Sequence, residues 1–352
     1  MALLRLAAED VRNIEAAQLE LSPALTLIWG ANGSGKTSLL EAAFLLGRGR
    51  SFRTRNTERL IRYGQTHLRV TGQLAGDMEP LPVGIEVRRG SVTARVAARP
   101  VESLAELSRA FPVQVIEPGI HRLVEEGGHR RRRWIDWAVF HVEPQFVDTW
   151  VRYARALKQR NAALRTQPSE AALWDPEVAR LGELISDSRT RVVESLQPYW
   201  HEVLAALTGL PVELHYVRGW AADLTLASAL ESSRARDAAR GLTHAGPHRG
   251  DISLRVHGRP AREVLSRGQQ KLTAVAMTIA QLQLLRDRAQ TTPTLLLDDP
   301  AAELDSVHLG AFIAQVRALR CQLVVTSLTS ESQLFGAPDR TFHMDQGRVQ
   351  PV

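Results

Sequence analysis

Apolar residues fall along this chain in two rhythms, and the switch between them divides it. Residues 3–6, 17–21 and Leu25–Trp29 are short apolar blocks, with Ser22-Pro23 marking a turn, and they read as strands. After them the period lengthens. Leu39, Leu40, Ala43 and Leu46 share one helical face, which predicts a helix over 36–46. Strand spacing returns at His67–Leu74, 81–87, 92–97 and Val113–Ile116, with Gly and Pro at the breaks. From about 130 to 209 nearly every stretch is helix-forming. Phe146, Trp150, Tyr153 and Leu157 lie three or four apart. Leu181, Leu184, Ile185, Val192, Leu196, Tyr199 and Val203 also keep to one face, across one seven-residue step. Gln167-Pro168-Ser169 separates the two patterns, which therefore predict a hairpin of long amphipathic helices, with Pro198 placed to kink the second. Beyond Gly209 strands resume at Val212–Val217, 252–256, Thr294–Leu297 and 323–326, with helices over 267–285 and 307–319. The reading is an α/β chain in three parts: a strand-rich lobe over 1–128, an inserted helical arm over 129–209 and a second lobe over 210–352.

Composition narrows the class. A length of 352 residues gives a prior of about two domains. With 44% hydrophobic and 23% charged residues, the chain can bury a core and is not wholly disordered. No apolar run reaches the roughly 18 residues of a membrane span. The first residues carry acids early and lack a signal-peptide layout, so a cytoplasmic protein is expected. Cys321 is the sole cysteine, which excludes a disulfide within the chain and a zinc site of several thiolates. His121, His141, His201, His215 and His343 have no metal-ligand spacing.

Charge is uneven. The formal net charge is +6, and the stretch from Arg48 to Arg69 holds seven arginines against one glutamate. A second cluster is Arg130-Arg131-Arg132-Arg133. Arginine's planar fork suits phosphate, so DNA contact is expected at Arg50, Arg53, Arg55, Arg131 and Arg132. Neither cluster carries interleaved aromatics at the density of a stacking platform, which predicts backbone rather than base reading.

One motif carries chemistry by itself. Gly30-Ala31-Asn32-Gly33-Ser34-Gly35-Lys36-Thr37 matches G-x-x-x-x-G-K-[ST] between an apolar strand and an apolar-periodic helix. Its glycines let backbone N–H groups turn toward phosphate, Lys36 can reach the β- and γ-phosphates, and the Thr37 hydroxyl can ligate Mg²⁺. Leu295-Leu296-Leu297-Asp298-Asp299 is an apolar strand that delivers two acids at its end. There Asp298 would hold Mg²⁺ and Asp299 would polarise the attacking water. Leu265-Ser266-Arg267-Gly268-Gln269-Gln270-Lys271 opens a helix 32 residues before those acids. In the ABC branch of P-loop proteins a Leu-Ser-Gly-Gly-Gln segment stands in that place and touches the nucleotide held by the other subunit. Here Arg267 replaces its first glycine.

On these stretches the sequence resembles the RecF family of bacterial recombination-mediator ATPases and is similar to the wider group that includes SMC proteins. The resemblance also rests on Ser38-Leu39-Leu40-Glu41-Ala42, Arg50-Ser51-Phe52-Arg53, Arg131 to Trp137, Gly246-Pro247-His248-Arg249 and Glu303-Leu304-Asp305, in family order from residue 30 to 305. It implies an ABC-type P-loop ATPase head with mixed sheets and an inserted helical arm. It implies ATP with Mg²⁺ as cofactors, a homodimer that closes on ATP, and binding of single-stranded and gapped double-stranded DNA. It further implies slow hydrolysis and work beside RecO and RecR in loading RecA. Carried over by position, Ser266, Gly268, Gln269 and Asp305 would meet the nucleotide or the partner subunit in trans. Three departures stand out. Pro300-Ala301-Ala302 lacks the serine usual before Glu303, and residues after 323–326 lack the phosphate-sensing histidine of many ABC ATPases. The Gln-loop position is either Gln114 or Glu117-Pro118. Asp299, one methylene shorter than glutamate, predicts slow turnover. A transporter-type ATPase subunit and a scaffold that binds ATP without useful hydrolysis are the rival readings.

Overall fold

The computed structural model describes residues 2–76, 78–302, 306–330 and 333–352. In chain order it begins with β1 (Leu3–Val11), β2 (Ile14–Glu20), β3 (Leu25–Trp29) and α1 (Lys36–Arg48). Next come β4 (His67–Leu74), β5 (Leu81–Arg88), β6 (Ser91–Val96), β7 (Arg99–Pro100), α2 (Leu104–Ala110) and β8 (Val113–Ile116). The middle holds α3 (Arg122–Glu125), α4 (Gly128–Val142), α5 (Phe146–Thr166), α6 (Asp175–Leu207), β9 (Val212–Val217) and α7 (Leu226–Arg240). It continues with β10 (Asp251–Val256), β11 (Arg259–Pro260), α8 (Ala261–Val264) and α9 (Arg267–Ala289). The chain ends with β12 (Thr294–Leu297), α10 (Ser306–Ala318), β13 (Leu323–Ser327), β14 (Arg340–Asp345) and β15 (Arg348–Pro351).

Two compact units result. The first is Met1–Ile120 with Leu285–Val352, the second His121–Leu284. This division differs from the expected three parts. The second unit takes in β9, β10, β11 and most of α9 along with the helical arm, because β9 and β10 pair with each other in a separate three-stranded sheet, and Trp200 Nε1 of α6 donates to Val212 O at 3.1 Å.

The first unit has two six-stranded sheets. One is antiparallel, ordered β2-β1-β4-β5-β6-β7, and the other is mixed, ordered β15-β14-β3-β13-β12-β8. In the mixed sheet β14, β3, β13, β12 and β8 run parallel, so their C-terminal ends share one edge. Parallel strands buried on both faces read as unbroken apolar runs, as in Leu295-Leu296-Leu297. Helix α1 packs against β1, β4, β5, β8 and β13, strands drawn from both sheets. The sequence pattern gave α1 one apolar face, but Leu39, Leu40, Ala42, Ala43, Phe44, Leu45 and Leu46 are all buried, as befits a helix enclosed on every side. Glu41, buried inside this core, is held by Arg12 at 3.0 and 3.1 Å and by the Ser51 hydroxyl. The C-terminal hairpin of β14 and β15 had no counterpart in the sequence reading.

In the second unit α5 and α6 pack side by side, as the two apolar stripes predicted. Helix α6 runs 33 residues and passes through Pro198 uninterrupted.

Candidate functional site

The parallel edge of the mixed sheet assembles the phosphate loop. The chain leaves β3 at Trp29, turns through Gly30 to Gly35 and enters α1 at Lys36. Gly35 has φ +116°, and a Cβ on Gly30 would lie 2.2 Å from the Met344 carbonyl oxygen, so side chains are excluded at both. The loop is braced from elements that sequence reading did not connect to it. Asn13 donates through Nδ2 to Gly33 O at 3.3 Å, and its Oδ1 accepts from Ser38 Oγ at 2.9 Å. Gly347 N–H donates to Ser34 O at 2.7 Å. Gly30 N–H donates to Ser327 O, on the adjacent β13, at 3.2 Å.

Lys36 Nζ donates to Gly30 O at 2.6 Å and Ala31 O at 2.9 Å, curling back over the loop. Burial lowers its pKa, while Asp299 and Asp298 act in the opposite direction. Thr37 Oγ1 lies 3.0 Å from each Asp298 carboxylate oxygen, joining the loop to the end of β12. Thr326 Oγ1, at the end of β13, donates to Asp298 Oδ1 at 3.0 Å and accepts from Asp299 N–H at 2.9 Å. That second bond fixes Asp299 in the left-handed conformation, φ +48°. Burial raises the Asp298 pKa, the Thr326 and Thr37 hydrogen bonds oppose the rise, and Glu117 and Asp299 add to it. Glu117 follows β8 on the same edge, whereas Gln114 sits within β8 opposite Leu295. Of the two Gln-loop possibilities, Glu117 is the one at the strand's end.

This donor set fits a divalent cation. Thr37 and Asp298 offer hard oxygens, and three carboxylates share the edge with a single lysine. Ser34 Oγ is buried without a hydrogen-bond partner in the loop, as a phosphate cradle requires. Among the described residues no group of three His, Cys, Asp or Glu forms a self-contained metal site.

The signature segment lies in the other unit. Ser266 and Gln269 form a reciprocal cap at the start of α9: Ser266 N–H donates to Gln269 Oε1 at 2.9 Å, and Gln269 N–H donates to Ser266 Oγ at 3.3 Å. Ser266, Arg267 and Gly268 are exposed, while Gln270 is buried and donates to Arg262 O and Leu265 O. Glu303, Leu304 and Asp305, expected to reach the partner subunit, lie outside the described residues.

The arginine clusters separate on inspection. Arg131 is corrected: it is buried, with Nε and Nη2 on Asp251 at 3.0 and 2.8 Å and Nη1 on the carbonyls of Leu123, Val124 and Glu126. These bonds tie α4 to β10 and to the end of α3, so the guanidinium faces the interior rather than DNA. Arg132 is half-buried and donates to Gly250 O at 2.7 Å. Burial lowers its pKa, with the Arg189 and Arg249 charges in the same sense against Asp251 and Asp136. In the first unit Arg50 is half-buried, whereas Arg53 and Arg55 are exposed. Arg53 approaches Glu41 at 3.9 Å.

The Gly246-Pro247-His248-Arg249 loop is fastened from beneath. Tyr153 OH lies 2.6 Å from His248 Nδ1, His248 Nε2 lies 3.0 Å from Thr243 O, and buried Arg189 donates to Pro247 O at 2.6 Å. Arg249 faces solvent. Burial pushes the His248 pKa down to about 4, with the Arg249, Arg132 and Arg189 charges adding to the effect and the Thr243 bond opposing it. A histidine with a depressed folded pKa stays neutral while the unfolded chain takes up a proton, so stability is lost as pH falls from about 6.5 toward 4. Between pH 7 and 5 the expected loss is about 2 kcal/mol. Urea unfolding of wild type and His248→Gln at both pH values checks this. Equal pH slopes in the two proteins would refute it.

Comparison with known proteins agrees with this geometry. Residues 2–348 match the family model for the RecF/RecN/SMC N terminal domain. The chain is 38% identical to the DNA replication and repair protein RecF of Vibrio atlanticus (strain LGP32), covering 99% of each chain. It is 39% identical to RecF of Pseudomonas putida, covering 99% of this chain and 98% of that one. A solved structure of the recombination mediator protein RecF–ATP in the RecFOR pathway superimposes with a TM-score of 0.89 at 24% identity, over 100% of this chain and 97% of that one. An SMC head bound to the C-terminal winged-helix domain of ScpA matches at a TM-score of 0.59 and 16% identity, over 100% and 97%.

Proposed function

The chain belongs to the RecF family of DNA replication and repair proteins, and we propose that it acts as an ATP-gated clamp on gapped DNA. The observation that carries the proposal is a phosphate loop joined to Asp298 through Thr37 in one unit, and a helix start in the other with Ser266 and Gly268 exposed and Gln269 half-buried. In this reading Gly30 to Gly35 and Lys36 hold the nucleotide phosphates of one subunit. Thr37 and Asp298 hold Mg²⁺, which offsets the phosphate charge. Ser266, Gly268 and Gln269 of a second copy complete the site in trans. Asp299, its backbone fixed by Thr326, orients the attacking water and accepts its proton on the carboxylate. The γ-phosphate then favours the closed dimer and its loss releases it, so hydrolysis is slow and serves as a switch. Solved relatives described in the RecFOR pathway support RecO- and RecR-type partners for this chain. No helix among the described residues is long and apolar enough to cross a membrane, and a cytoplasmic site of action fits a DNA-repair family. Arg50, Arg53 and Arg55 supply DNA-backbone contacts on the first unit, and Arg132 supplies one on the second.

The test is binding of fluorescent gapped duplex with and without ATP and Mg²⁺. ATP is expected to tighten wild-type binding roughly five- to a hundredfold. Ser266→Arg, which blocks closure but leaves each phosphate loop intact, is expected to lose that gain. Binding that ignores ATP in both proteins would favour a scaffold over a clamp.

A further inference from the structure

The segment from Ser51 to Gln65 presents more than positive charge. Tyr63 is fully exposed, the most exposed large apolar side chain among the described residues. Its place is fixed. Arg62 to Gln65 is a turn closed by Gln65 N–H donating to Arg62 O at 3.0 Å, with Gly64 at φ +85°. The turn is tied to the end of the β1–β2 hairpin. Arg62 N–H donates to Asp10 O at 2.9 Å, Arg62 Nε to Asp10 Oδ1 at 2.7 Å, and Arg12 N–H to Leu60 O at 2.7 Å. Val11 and Ile61 form an isolated antiparallel bridge beside them.

The charges around the ring divide into spent and available. Arg12 is committed to Glu41, and Arg62 to Asp10. Arg55 and Arg59 are exposed, and neither has a carboxylate partner among the described residues. The other aromatic of the segment, Phe52, packs edge-on against Phe44 at 5.4 Å and is not available. An exposed ring on a pinned turn, in a segment that also exposes Arg55 and Arg59, matches an unpaired nucleotide: arginines for its phosphates, an aromatic face for its base. A tyrosine ring has few torsions to freeze on binding.

We propose that Tyr63 stacks on an unpaired base, so that this segment distinguishes gapped from fully paired DNA. The proposal rests on the DNA-binding reading above and departs from the expectation that this cluster reads only backbone. Stacking is insensitive to salt, whereas each phosphate contact contributes about 0.7 to 0.9 to the slope of log affinity against log salt.

The experiment measures affinity for gapped and fully paired duplexes of equal length across a salt series. Tyr63→Ala is expected to weaken gapped-DNA binding roughly tenfold, with an unchanged salt slope and no effect on paired duplex. Tyr63→Phe, which keeps the ring, is expected to bind as wild type. The double variant Arg55→Ala/Arg59→Ala is expected to weaken both substrates and flatten the slope. If wild type binds gapped DNA and Tyr63→Ala binds it equally well, the stacking inference falls and the DNA-binding reading stands. If wild type binds neither duplex, both fall. Loss of ATP-driven dimerisation in Tyr63→Ala with gapped-DNA binding intact would assign the ring to a subunit interface and overturn the inference.

Discussion

Lys36→Ala is expected to weaken ATP binding at least a hundredfold without unfolding the protein. The Lys36 ammonium is held above the loop by the Gly30 and Ala31 carbonyl oxygens. These are contacts a phosphate can replace, since the side chain is already bent over the space where phosphate would lie. It is also the cation facing Asp298 and Asp299 across the sheet edge. Removing it deletes two or more charge-assisted hydrogen bonds to phosphate, each worth about 1.5–3 kcal/mol. It also leaves the phosphates facing carboxylates alone. A hundredfold loss corresponds to about 2.7 kcal/mol, close to the minimum of about 3 kcal/mol that two such bonds would supply. The fold should survive, because the carbonyls released at Gly30 and Ala31 can be taken up by water and the loop keeps its braces from Asn13, Ser327 and Gly347. Calorimetric titration of ATP into both proteins, with thermal melts as the control for folding, decides it. A variant that binds ATP within about threefold of wild type would deny the loop its phosphate role.

The loop was legible because its information is local. Eight consecutive residues set the turn, and the apolar runs on either side set the strand and helix that position it. The Asp298-Asp299 pair was legible for the same reason. The parts that complete the site come from far along the chain. Ser327, Met344 and Gly347 meet the loop because β13 and β14 flank β3 in the mixed sheet, Asn13 reaches it from the β1–β2 turn of the other sheet, and no spacing along the sequence states either order. Arg131 failed in the opposite direction. Four consecutive arginines look like one charged surface, but on α4 they point to different sides, and the side facing Asp251 is interior. The helical hairpin shows a subtler omission. The seven-residue step between Ile185 and Val192 held Arg189, and the stripe through Tyr153 and Leu157 continues to Arg160; both arginines are fully buried. The period marked those positions as interior, but the residue type argued against it, because burial of a guanidinium depends on carboxylates that sequence spacing does not reveal.

Those buried arginines set the second large effect. Arg160→Met is expected to destabilise the second unit by about 3–5 kcal/mol. Arg160 Nε donates to Asp175 Oδ1 at 2.7 Å, and Nη1 donates to Asp237 Oδ2 at 2.9 Å and Thr243 Oγ1 at 2.8 Å, so one side chain joins α5, α6, α7 and the segment after α7. Methionine fills part of the volume but strands the carboxylates. Asp175 keeps Arg234 at 2.8 Å, whereas Asp237 has no exposure to water and retains only Ser233 and His244. The cost is therefore the uncompensated charge on Asp237 rather than lost packing. It follows that Arg160→Met/Asp237→Asn recovers part of the loss, although it removes a second native group. Six of the seven tryptophans lie in the second unit, so urea unfolding followed by tryptophan fluorescence reports chiefly on it. A single-variant loss below about 1 kcal/mol would mean that solvent reaches these carboxylates, and a double variant weaker than the single would place the cost in packing instead.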